Sequence, residues 1–141
     1  MEIRRMLSGA GRYFQGRDIL QKVGDEAKHL RWQKVLLIGG GKALAAAGTA
    51  VEKSLQANQI SYVLRSYGGH NTAEDIASFA VCYSEEHCDG IIGIGGGKIM
   101  DLVKAVAALC HTGVITVPTS AATCAAFAPL SVVYNGEGRQ T

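Results

Sequence analysis

Apolar residues in this chain gather into short runs separated by amphipathic stretches of about a dozen residues. Lys34 to Ile38 (KVLLI), Ile91 to Ile94 with Gly93 inside it, and Val114 to Val117 before Pro118 are short and lack polar alternation, which predicts strands buried on both faces. Ser61 to Ser66 adds another strand, Arg12 to Gln15 a short one, and Leu130 to Tyr134 a last one. Between them the spacing predicts helices. Asp18 is placed to cap one running to about Arg31, with Ile19, Leu20, Val23, Ala27 and Leu30 on its apolar face, although Gly24 weakens it. Others run from about Ala43 to Ala57, from about Thr72 to His87 with Thr72 or Asn71 as cap, and from Ile99 to Cys110. In the last, Asp101, Lys104 and Ala108 share a less buried face. Met1 to Ala10 reads as an arm or an edge segment.

Strands alternating with helices imply a Rossmann-like α/β fold, a parallel sheet with helices on both faces, whose ligands bind beyond the carboxyl ends of the strands. Two strands end there in the same chemistry: Gly39, Gly40, Gly41 and Lys42 after the first, and Gly95, Gly96, Gly97 and Lys98 after the central one. Glycine lets a ligand approach the main chain, the N-terminus of the following helix favours an anion, and lysine adds charge, so a phosphate or pyrophosphate is expected. The alternative is a tight turn without a ligand. Neither familiar phosphate motif fits. A P-loop needs Gly and Ser or Thr where Ile92 and Ile99 stand, and the GxGxxG fingerprint ends on Lys98 or Met100 according to its start. The PTSAAT segment from Pro118 falls at the same edge, and the convergence points to a dinucleotide cleft.

At 141 residues the chain is one domain with enough apolar residues, 48%, for a substantial core. Its net charge of +2 is small, its 14 Lys and Arg are dispersed and aromatics are 6%, so no nucleic-acid partner is expected. No run reaches membrane-spanning length, no secretory leader is recognisable, and the four cysteines lack CxxC spacing, which makes the cytoplasm the default. His87-Cys88 and Cys110-His111 sit at predicted helix ends, where adjacent residues diverge, so no metal site is expected from them. Asn135-Gly136 is a hairpin turn with no partner strand after it. An unpaired edge is therefore expected, and with it a chain that is the front part of a longer protein.

The ordered set GIGGGKIMDLVKAVA, VPTSAAT and LSVVYNGEG resembles the glycerol dehydrogenase branch of the iron-containing, or metal-dependent, alcohol dehydrogenases, with a match covering nearly the whole chain from Gly11 onward. The resemblance implies the N-terminal dinucleotide-binding domain, over residues 1–141, of a dehydroquinate synthase-like fold whose C-terminal helical domain is absent from this chain. It implies an NAD(P)-dependent oxidoreductase acting on an alcohol, polyol or 2-oxo acid, with zinc or iron held by residues outside the chain. No catalytic or metal-binding residue is expected here, and His29, His70, His87 and His111 are not nominated. Oligomeric state stays open, a homo-oligomer included. A dehydroquinate synthase itself is disfavoured by Lys104, where that family's motif continues to Gly-Phe.

Carried over by position, Gly95, Gly96, Gly97 and Lys98 would hold the pyrophosphate, and Asp101 would steady the loop or contact the cofactor. Thr119 and Thr123 would meet its phosphate or nicotinamide end, and Leu130 and Tyr134 would flank it. Thr119 as a turn cap and Leu130 as a core residue are the alternatives. Two departures stand out. NAD-using members carry Asp after the first strand where this chain has Gly40, and Lys42 adds positive charge, so NADP(H) is expected to bind at least as well as NAD(H). Glycerol dehydrogenases carry Asp after the Thr of PTxxxT, where this chain has Cys124. That opens a hydroxycarboxylate or 2-oxo acid substrate, unless Cys124 is only a small buried residue. A non-catalytic dinucleotide-binding module is the remaining alternative.

Overall fold

The structure, a computed structural model, describes residues 2–4, 12–16, 19–119 and 128–133. Seven strands form one sheet: β1 (Glu2–Arg4), β2 (Arg12–Gly16), β3 (Lys34–Gly39), β4 (Ser61–Ser66), β5 (Gly90–Gly95), β6 (Val114–Pro118) and β7 (Ala128–Val133). Their spatial order is β1-β2-β7-β6-β5-β3-β4. The parallel part, β6-β5-β3-β4, is the expected one, in which β3 pairs Gly39 with Ser66 of β4 and with Ile94 of β5. An antiparallel wing of β7, β2 and β1 extends it.

The helices are α1 (Lys22–His29), α2 (Gly41–Ala43), α3 (Thr49–Ala57), α4 (Ala73–Glu85) and α5 (Gly97–Cys110). Buried strands with a period of two send alternate residues to opposite faces. Val35 and Leu37 of β3, Ile92 and Ile94 of β5, and Ile115 and Val117 of β6 pack with Val23 and Ala27 of α1 and Val51 and Leu55 of α3. Leu36, Ile38, Ile91 and Val114 face the other way, onto Ile99, Leu102, Val103 and Val106 of α5. Ile76 and Phe79 of α4 cover the same layer from its margin, being only partly buried. Both faces of the parallel sheet are therefore covered, as the unbroken apolar runs require.

Three expectations need correction. The last strand has no unpaired edge, because β7 lies inside the sheet between β6 and β2, with Leu130 opposite Phe14; its partner comes from the N-terminus rather than from a following hairpin. The first helix is shorter than the pattern suggests. A 3-10 turn, Ile19–Gln21, precedes α1; Gln21 occupies the N-cap without a side-chain hydrogen bond, Leu30 caps the C-terminus, and Arg31 turns into positive φ of 66°. Asp18 lies outside the described residues. The helix expected from about Ala43 to Ala57 is interrupted by a π-helical segment, Leu44–Gly48, between α2 and α3. Its residues carry no β-branch, so little opposes the wider turn sterically.

Candidate dinucleotide-binding edge

Four chain segments meet at the carboxyl edge of the parallel strands. β3 leads through Gly40 into α2, and β5 leads through Gly96 into α5. The Gly40 N–H donates to the Ile94 carbonyl at 3.3 Å, and the Tyr67 N–H, just beyond β4, donates to the Gly39 carbonyl at 2.9 Å. After β6, the Thr119 N–H donates to the Gly95 carbonyl at 2.9 Å. The two GGGK loops thus leave neighbouring strands side by side, with Thr119 beside the second.

Glycine at Gly95 is required by the backbone, whose φ of +155° and approach to Ile99, 2.8 Å from where a Cβ would stand, both exclude a side chain. At Gly41, Gly96 and Gly97 the situation is opposite. Among the described residues, a Cβ there would meet nothing within 4 Å, and one at Gly40 would meet only Ile99 Cγ1 at 3.9 Å. Packing among the described residues therefore does not explain glycine at these positions.

The helix ends agree. Thr72 caps α4, its Oγ1 accepting from the Asp75 N–H at 3.1 Å, whereas α2 and α5 begin on Gly40 and Gly96 with no side-chain cap. The first intrahelical bond recorded at the start of α5 is from the Met100 N–H to the Gly96 carbonyl, at 3.0 Å. The N–H groups of Gly97, Lys98 and Ile99 come before it, and the partial positive charge of a 14-residue helix lies behind them. Lys42 and Lys98 are exposed beside these ends and bring two full positive charges. Open N–H donors, a helix N-terminus and lysine charge are the chemistry and the sign that a pyrophosphate requires.

Asp101 is exposed one turn into α5. The side-chain hydrogen bond that ties down this loop comes from elsewhere, from Asn71 Nδ2 to the Lys98 carbonyl at 3.0 Å. In the sequence Asn71 reads only as a helix cap, and nothing marks Tyr67 and Asp75, which brace it. A contact between residues 27 positions apart leaves no periodic signal in the chain. Thr119 is half-buried at the edge. β7 starts at the same edge and runs away from it, pairing Ser131 with Thr116 and Val133 with Val114, so the main chain at Leu130 lies toward the cleft. Thr123, Cys124 and Tyr134 lie outside the described residues. Among the described residues no group of three or more His, Cys, Asp or Glu is placed to hold a metal ion, and no helix is long and apolar enough to cross a membrane.

The family model described as iron-containing alcohol dehydrogenase matches residues 10–141. This chain belongs to that family. The iron-containing alcohol dehydrogenase chain is 34% identical over 136 residues to a glycerol dehydrogenase of Escherichia coli O6:H1, and 31% identical over 135 residues to hydroxycarboxylate dehydrogenase A of Escherichia coli K12. The first match covers 95% and the second 96% of this chain, and each covers 36% of the relative, so the chain spans about a third of those proteins' length. Among solved structures, NADH-dependent butanol dehydrogenase A of Thermotoga maritima aligns with a TM-score of 0.61 at 30% identity, over 66% of this chain and 24% of that one. Glycerol dehydrogenase of Schizosaccharomyces pombe shares the fold with a TM-score of 0.65 over 73% and 26% of the two chains, at 22% identity.

Proposed function

We propose that this chain is the NAD(P)-binding part of a metal-dependent alcohol or polyol dehydrogenase, working with a helical, metal-binding domain. The observation that carries the reading is the pair of uncapped, glycine-opened helix starts on adjacent parallel strands at one sheet edge. One such end accommodates a phosphate; two side by side suit a dinucleotide.

In this reading the N–H groups at the start of α5 bind the pyrophosphate, and Lys98 neutralises its charge. Gly96 and Gly97 keep side chains out of the approach, and Asp101 and Thr119 border the ligand. Thr123, Leu130 and Tyr134 complete the nicotinamide side. When bound, the dinucleotide supplies the hydride acceptor or donor, and zinc or iron in the second domain supplies Lewis acidity at the substrate oxygen.

At the β3 end, Gly40 offers no carboxylate to repel a 2′-phosphate, among the described residues only Ile99 comes within 4 Å of where its Cβ would stand, and Lys42 brings a positive charge. NADPH is the favoured dinucleotide. Fluorescence titration should show binding of NADPH at least as tight as that of NADH. Gly40→Asp should reverse the order by weakening NADPH about tenfold or more through like-charge repulsion. A clear preference for NADH in the unsubstituted protein would refute the cofactor choice, and no binding of either by the complete enzyme would refute the dinucleotide reading.

A second reading concerns the substrate. Cys124 stands where glycerol dehydrogenases carry Asp, and hydroxycarboxylate dehydrogenase A is among the similar proteins, which together support a hydroxycarboxylate or 2-oxo acid. A neutral residue there tolerates a substrate carboxylate that an Asp would repel. Cys124→Asp in the complete enzyme should then shift kcat/KM toward glycerol; an unchanged ratio would leave Cys124 as packing.

A further inference from the structure

We infer that Asn71 is a positioning residue for the phosphate-binding turn of α5, acting through the peptide that joins Lys98 to Ile99; this rests on the dinucleotide reading above. Asn71 Nδ2 donates to the Lys98 carbonyl at 3.0 Å, from a loop on the far side of β3 in strand order. A peptide is planar and trans, so its C=O and N–H point in opposite directions. Fixing the Lys98 carbonyl therefore fixes the Ile99 N–H, the third residue of α5 and one of the donors that the helix leaves open at its start. The amide bond from Asn71 also polarises that peptide, which strengthens the N–H toward an anion.

Asn71 is itself held. Its backbone lies at φ 59°, in the left-handed region that asparagine tolerates better than most residues. Its N–H donates to Tyr67 Oη at 2.7 Å, and Tyr67 Oη donates to Asp75 Oδ2 at 2.6 Å, in the first turn of α4. The Tyr67 ring stands edge-on to Phe79, with centroids 5.6 Å apart. A well-braced loop thus presents one amide to one carbonyl of the next loop. Asn71 Oδ1 has no hydrogen-bond partner among the described residues, so the bond to Lys98 is what the side chain contributes.

The test uses the complete enzyme and three variants, each titrated with NADPH and NADH and melted in parallel. Asn71→Gly keeps the left-handed backbone and removes the donor. Asn71→Asp keeps size and shape but turns an acceptor toward the Lys98 carbonyl. Tyr67→Phe keeps the ring and removes the hydroxyl that holds Asn71. Asn71→Gly should raise Kd about fivefold to tenfold, the loss of one hydrogen bond, and Asn71→Asp should raise it further. The factor should be the same for both dinucleotides, because the peptide acts at the pyrophosphate they share. Tyr67→Phe should weaken binding in the same sense, and combined with Asn71→Gly it should add less than its separate effect.

A merely structural role would lower the melting temperature and leave Kd unmoved in the folded protein. Unchanged Kd in Asn71→Asp and Tyr67→Phe, with the unsubstituted enzyme binding normally, overturns this inference and leaves the dinucleotide reading standing. Failure of the unsubstituted enzyme to bind either dinucleotide overturns that reading itself, and the inference with it.

Discussion

Glycines carry opposite roles at neighbouring positions of β5 and its loop. Gly93 lies where a Cβ would stand 2.7 Å from both Val103 γ-carbons, so Gly93→Ala must push α5 off the sheet, at about 1–3 kcal/mol. Gly96 has φ −90° and ψ −161°, open to any residue, and among the described residues nothing lies within 4 Å of an added Cβ. Gly96→Ala should leave a denaturant melt within about 0.5 kcal/mol while weakening dinucleotide binding about tenfold. Unchanged binding in Gly96→Ala would remove the phosphate role from this loop. The pH response belongs to this scale as well. Cys88 is 8% exposed, and burial, opposed by Lys34, pushes its thiol up to about 11. Burial raises Cys110 and Tyr83 too, Tyr83 against a hydrogen bond with Thr112. Each folded-state group holds its proton after the unfolded chain has released it. Stability is therefore full below about pH 9 and falls as pH rises toward 11, a decline that melting temperatures across that range should show.

At the scale of elements, the chain's local rules hold where an element answers to itself and fail where it answers to a neighbour. Thr72 begins α4 as the pattern indicates, and Thr72→Ala should cost about 1 kcal/mol, readable in thermal melts. Gly24 reads as a weak point in a helix; packed, it is where α1 and α3 touch. A Cβ there would lie 2.1 Å from the Ser54 carbonyl oxygen, while the Gly24 N–H donates to Ser54 Oγ at 2.8 Å and that hydroxyl donates to the Gln21 carbonyl at 2.7 Å. Gly24→Ala should destabilise by about 3 kcal/mol, against the gain a helix normally takes from alanine; a stabilised variant would mean the two helices part easily. The strands Lys34–Gly39 and Gly90–Gly95 are legible within a residue or two because burial on both faces leaves an unbroken apolar run, whereas the edge strand Ser61–Ser66 is largely exposed and is marked only by its Tyr-Val-Leu centre and the glycine turn after it. The π-helical segment was not, since Leu44–Gly48 carries the same small and apolar residues an α-helix would.

For the molecule as a whole, the antiparallel wing decides how the sheet is closed on one side. Phe14 of β2 is 3% exposed and belongs to the same core layer as Val35 and Ile92, although it lies far from them in the chain. Removing residues 1–16 takes away Phe14 and uncovers the edge of β7, so the shortened protein should self-associate in size-exclusion chromatography. A monomeric, well-folded product would show that the wing is dispensable. The sequence by itself determined the alternation of strand and helix and the carboxyl edge where both GGGK loops emerge, because these follow from periodicity and from glycine and lysine at fixed local spacing; the family was legible as the resemblance of an ordered set of motifs. Only the tertiary structure decided that β7 lies inside the sheet, that Gly24 is a helix contact, and that Asn71 reaches Lys98. Each of those depends on which distant segments pack together, and pairing at long range leaves no spacing within a single chain segment.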